Sequence, residues 1–144
     1  GVDGSASNDC GHTIGEVRNA MLLQRVQNGP AAFTVEEALQ LATVGGAAVL
    51  GRDEIGSLEA NKAADLIGVS TRTLNMAGGA VHDPMAALLL CHVEKVDFSI
   101  INGKVIVEDG QLKTIDLARL ITRHNELAQE FVGLHPEADH FKLV

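Results

Sequence analysis

The 144-residue chain contains no Trp and no Tyr, and aromatics make up only 3% of it, so any core must be built from aliphatic side chains. Its two cysteines, Cys10 and Cys91, lie far apart with no CxxC pair. That spacing excludes a disulfide framework and suits free thiols in a reducing cytosol, with Cys91 expected in a core. Basic residues are also few: 11 Lys and Arg stand against 19 Asp and Glu, for a net charge of -8 and no basic cluster. Nucleic acid, whose phosphates demand clustered cations, is therefore not an expected partner, and neither is an anionic membrane surface. The longest apolar runs, residues 45–50 and 85–91, fall far short of the ~20 residues of a membrane span. No signal peptide, internal repeat or low-complexity linker is visible.

The 46% hydrophobic content is enough for one packed core. Ile14, Val17, Met21, Leu22 and Val26 follow helical spacing, and Gly29-Pro30 ends that run, which predicts a first helix over 12–26 with Asn8 and Asp9 as turn and N-cap residues. Thr34 with Glu37 forms a capping box, predicting a second helix to about residue 43. Gly45-Gly46 is expected to interrupt it before a short piece, 47–50, closed by Gly51. Residues 64–69 read as a strand, 70–79 as a loop, and Asp83-Pro84 as the cap and first position of a helix reaching residue 92. The clearest signal is a hairpin: residues 96–101 and 104–108 flank Asn102-Gly103, a pair suited to the positive φ angles of a type I′ turn. Asp109-Gly110 offers another turn and a third short strand. Leu117, Leu120, Ile121, His124, Leu127, Ala128 and Phe131 then share one face of a final amphipathic helix.

The first residues, GVDGSASND, read as a buried strand end running into a Gly/Ser/Asn loop before a helix, the place where α/β barrels carry their chemistry. Asp3 is the first candidate there. That opening, Leu58-Glu59 with Lys62-Ala63-Ala64-Asp65-Leu66, and Asn102-Gly103-Lys104-Val105 together resemble the carboxyl-terminal third of the metal-dependent amidohydrolases. The resemblance covers nearly the whole chain. It is nearest to the heteroaromatic aminohydrolase branch, which includes triazine hydrolases and adenosine-type deaminases. The VDGSASND loop and the HDP-x-AALLLC segment point within that branch to the 8-oxoguanine deaminases.

The resemblance implies an α/β fold: the C-terminal part of a TIM-type (β/α)8 barrel with part of a flanking β-sandwich. Residues 1–52 would hold the last barrel strand and C-terminal barrel helices, 53–115 sandwich strands with an inserted loop and short helix at 70–92, and 116–144 the final helix and tail. It further implies that Asp3 is both metal ligand and catalytic proton carrier, with a divalent metal, zinc in most of the family, activating water. The reaction would be hydrolytic deamination of a purine or related heteroaromatic ring, 8-oxoguanine-like, with ammonia leaving. The other metal ligands of the family lie outside this chain, so the isolated chain is expected to be inactive. Ala60-Asn61 replaces the Pro-Gly common before Lys62, and Asn tolerates the left-handed backbone such a turn needs.

Ser5, Ser7 and His12 are weak candidates for substrate binding, His12 being expected rather to face solvent at a helix start. His82 would structure its loop, and His92 and His124 fall on apolar faces where packing is expected. His135 and His140 do not read as a metal pair, because Pro136 breaks their register. Asp65 reads as a turn or backbone-binding acid, and Arg18 and Arg25 share a helix face suited to acids. Two alternatives stand beside the deaminase: a triazine-type chlorohydrolase or alkylaminohydrolase using the same activated water, and a non-catalytic assembly module. A homo-oligomer is expected, with the 117–131 stripe as the natural contact surface.

Overall fold

A computed structural model describes residues 2–4, 7, 8 and 10–133. The chain divides between Gln111 and Leu112 into two compact units. The first opens with helix α1 (Thr13–Asn28), which ends where Gly29, at φ 97°, returns its amide to the Arg25 carbonyl. Helix α2 (Val35–Gln40) begins with the expected capping box, Thr34 and Glu37 exchanging both bonds.

Gly45-Gly46 does not interrupt the helix that follows. A π-helical turn (Leu41–Gly45) carries the backbone straight into α3 (Gly46–Val49), and both glycines keep right-handed helical angles. The Thr43 hydroxyl bonds back to the Leu39 carbonyl across the wide turn. Gly51, at φ 66°, then closes the helix as expected.

Strand β1 (Leu66–Gly68) is shorter than the 64–69 prediction. The 70–79 loop gives way early to a helical turn, α4 (Gly79–His82), which the sequence did not predict. Helix α5 (Pro84–Leu90) starts on the expected Asp83 cap, whose Oδ1 accepts from the Ala86 amide at 2.9 Å, and stops at Cys91 rather than at residue 92. The hairpin forms at the predicted turn, its first strand two residues shorter than expected: β2 (Phe98–Ile101) and β3 (Lys104–Glu108) join through Asn102 and Gly103 at φ 48° and 75°. A turn through Asp109 and Gly110 leads to β4 (Gln111–Leu112), giving the sheet order β1-β2-β3-β4 with antiparallel β1–β2 and β2–β3 pairs.

The core lies among the helices. Met21 of α1, Ala38 of α2 and Leu89 of α5 are buried together, with Ile14, Val17 and Phe33 against them. A second cluster joins Met76, Ala87 and Val93, so α5 contributes to both. Polar residues knit the sheet: Asp65 accepts the Asn102 amide at 2.6 Å, the backbone-binding role expected of it. Among the described residues Arg25 pairs with no acid; its Nε donates to the Phe33 carbonyl at 2.8 Å and ties α1 to the segment before α2.

The second unit holds helix α6 (Leu117–Phe131), begun by an Asp116 cap to the Arg119 amide. His135 and His140 lie outside the described residues. His92 and His124 are exposed rather than packed. Cys10 and Cys91 are free thiols, but Cys91 is only half-buried.

Candidate functional site

Asp3 lies in the segment before α1, exposed and with φ 62°. Asp is one of the few residues that adopt the left-handed region at modest cost, because its short polar side chain can bond locally. Here the Gly4 amide donates to Oδ1 at 2.7 Å. The second carboxylate oxygen, Oδ2, has no hydrogen-bond partner among the described residues. An accessible carboxylate fixed by one oxygen can take up a proton or bind a cation with the other.

The Gly4 carbonyl in turn accepts the amides of Ser7 and Asn8, both at 2.9 Å. Asn8 uses both ends of its side chain: Oδ1 accepts the Cys10 amide at 3.2 Å, and Nδ2 donates to Glu16 of α1, also at 3.2 Å. Asn8 thus serves the turn as expected, but the N-cap of α1 is His12. Its Nδ1 accepts the Gly15 amide at 3.1 Å, which leaves the proton of the neutral ring on Nε2. His12 is half-buried and Ser7 exposed, while Ser5 lies outside the described residues.

A cavity of about 370 Å³ opens between the start of α1 and the end of α5, lined by His12, Gly15, Arg18, Cys91 and His92 among others. The His12 and His92 rings lie there with centroids 6.5 Å apart and planes tilted by 41°. The distance in sequence between residues 12 and 92 hides this juxtaposition. A larger apolar groove, about 670 Å³, runs between α3 and the β1–β2 pair, past Ala47, Leu50, Ile67 and Ile101.

Catalytic zinc ordinarily takes three protein ligands and keeps one position open. Among the described residues no three His, Cys, Asp or Glu side chains come together to hold a metal ion, and no helix is long and apolar enough to cross a membrane. The donor set of these residues therefore does not fit a metal by itself.

Residues 1–112 match the Amidohydrolase family, and the chain belongs to that family. It is 44% identical over 133 residues to the 8-oxoguanine deaminase of Pseudomonas aeruginosa, a match covering 92% of this chain and 29% of that protein. Among solved structures it is similar to an adenosine deaminase from Xanthomonas campestris with bound zinc (TM-score 0.84, 30% identity, 92% of this chain and 30% of that one). The atrazine chlorohydrolase of Arthrobacter aurescens complexed with zinc is similar too (TM-score 0.78, 34% identity, 86% and 28%). The chain spans less than a third of the length of each, and its fold is a partial α/β piece of the amidohydrolase barrel enzymes.

Proposed function

We propose that this chain is the Asp3-bearing part of a metal-dependent hydrolytic deaminase acting on a purine or related heteroaromatic ring, 8-oxoguanine-like. Water adds to an amino-bearing ring carbon, the C–N bond breaks, ammonia leaves and the ring keeps a carbonyl. The observation that carries this reading is the 44% identity to an 8-oxoguanine deaminase along 92% of the chain. Exposed Asp3, with Gly4 holding one of its oxygens, takes a proton from the attacking water on Oδ2 and returns it to the departing nitrogen. A divalent metal, zinc on the precedent of the similar structures, would when bound lower the pKa of a water to about 7 and so supply hydroxide at neutral pH. Residues of the longer protein beyond this chain provide its remaining ligands. In that protein residues 1–52 form the last barrel strand and helices, and 53–115 part of a β-sandwich.

The substrate is a small molecule, the free thiols of Cys10 and Cys91 suit a cytosolic enzyme, and the exposed apolar stripe along α6 suits a homo-oligomer. The likeness to the atrazine chlorohydrolase supports a second reading, in which the leaving group is chloride or an alkylamine.

The test is product release by the longer protein, with 8-oxoguanine and a chlorotriazine offered side by side. Ammonia from the purine supports the first reading and chloride from the triazine the second. Asp3→Asn abolishes turnover with the fold retained; unchanged turnover overturns the role given to Asp3. The 144-residue chain alone releases neither product.

A further inference from the structure

We infer that Asn8 is a positioning residue for Asp3, acting through Glu16; the inference rests on the deaminase reading above. Within this chain Asp3 is exposed, and its Oδ1 is held by the neighbouring Gly4 amide. What reaches it is a chain of hydrogen bonds. The Gly4 carbonyl, one residue past Asp3, accepts the Asn8 amide at 2.9 Å, and the Asn8 side chain donates to Glu16 Oε1 at 3.2 Å. Glu16 lies in the first turn of a 16-residue helix whose Met21 is fully buried. The rigid helix thus anchors the loop eight residues upstream through one side chain.

The residue type follows from the geometry. Position 8 accepts the Cys10 amide and donates to a carboxylate at once, and Asn carries the acceptor and the donor on separate atoms of one short side chain, which the single hydroxyl of Ser or Thr does not. A carboxylate acceptor makes the bond to Glu16 charge-assisted, stronger than one between neutral groups. Catalytic groups need placement within about half an ångström. Freeing this loop therefore acts on the proton-transfer step more than on substrate capture.

Three variants of the longer protein separate this from a general structural role. Asn8→Asp keeps size and the bond to Cys10, removes the donor, and sets two carboxylates against each other. Glu16→Gln alone keeps an acceptor facing Asn8. The double variant restores a donor–acceptor pair with its direction reversed, and the wild-type net charge.

The expected result is a kcat for ammonia release lowered about ten- to a hundredfold by Asn8→Asp, with KM within about twofold, a smaller loss for Glu16→Gln, whose neutral acceptor holds Asn8 more weakly, and recovery in the double variant to the Glu16→Gln rate. Amide exchange at Ser7, whose N–H bonds to the Gly4 carbonyl, accelerates in Asn8→Asp and slows again in the double variant. A normal kcat in Asn8→Asp, or a double variant as impaired as the single, overturns the inference. Turnover that survives Asp3→Asn, or no ammonia from any ring, instead overturns the deaminase reading. In that event unchanged Ser7 exchange in Asn8→Asp overturns the tether as well, and accelerated exchange reversed in the double variant upholds it.

Discussion

Gly68 pairs directly with Phe98 across β1 and β2, and the Phe98 ring fills the space that a side chain at position 68 would need. Even the single carbon of alanine would run into ring atoms, so Gly68→Ala forces either the ring or the short β1 strand to move. The atoms met are the far end of an exposed ring that can turn aside, and pushing it off its rotamer costs about 0.5–1.5 kcal/mol. The expected outcome is a lower thermal midpoint for Gly68→Ala. Adding Phe98→Ala restores part of the loss, a non-additivity that a double-mutant cycle reads directly.

The Thr34–Glu37 capping box carries a pH signature. The Glu37 carboxyl is held below the usual glutamate range, first by the backbone amide of Thr34 and next by its hydroxyl. A pKa lowered by folding means that ionised Glu37 stabilises the fold above the unfolded-state pKa, and that this contribution disappears as pH falls through the folded-state value. The difference in melting temperature between wild type and Glu37→Ala is therefore largest at neutral pH and narrows on acidification, in thermal melts compared at pH 7 and pH 3. Thr34→Ala, which removes the hydroxyl cap, costs about 1 kcal/mol at neutral pH.

Asp97 joins three segments. Its carboxylate accepts the Ser70 amide, its own amide donates to the Gly68 carbonyl at 2.8 Å, and its carbonyl accepts the Gly110 amide at 2.8 Å. Asp97→Ala removes only the first of these bonds. It leaves the Ser70 amide without its acceptor, at a cost of about 1–3 kcal/mol. Amide exchange at Ser70 should accelerate strongly while that at Gly110 changes little; equal acceleration at both would mean that the β2 start as a whole had come loose.

Asn61 has φ 69° in the turn before Lys62. Asn61→Gly is therefore expected to be neutral or slightly stabilising. Asn61→Val, whose branched side chain cannot adopt that backbone cheaply, is expected to be destabilising by about 1 kcal/mol or more. Chemical denaturation of the three proteins provides the comparison.

Legibility in the sequence followed the range of the interactions. The Asn102-Gly103 hairpin, the Thr34–Glu37 box and the Asp83-Pro84 start each depend on residues within four positions of one another, and all three are present as predicted. Gly45-Gly46 misled because glycine lowers helix propensity in isolation, whereas here the close approach of Gly56 to Thr43, Val44 and Ala47 packs the helix around the pair. His12 was not read as a cap because Ser, Thr, Asp and Asn dominate that position, although an imidazole nitrogen can accept the same amide. At the candidate site, the family was legible in the motif around Asp3. The connection of that segment to α1 was not, since neither Asn8 nor Glu16 signals a partner eight residues away.

The π-helical turn at Leu41–Gly45 makes the helical path from Val35 to Val49 one residue richer than a plain α-helix between the same ends. Each α-helical residue advances the chain by about 100° around the axis, and a wide turn absorbs one such step. Buried Ala38 and Ala47, nine positions apart, would lie on opposite sides of an unbroken α-helix; the absorbed step swings them toward a common side. A one-residue deletion here would thus leave a smoother helix that points the wrong residues inward. A homologue aligned with a single gap between 41 and 45 has to repack everything from Ala47 to Gly56, however similar its letters look on either side.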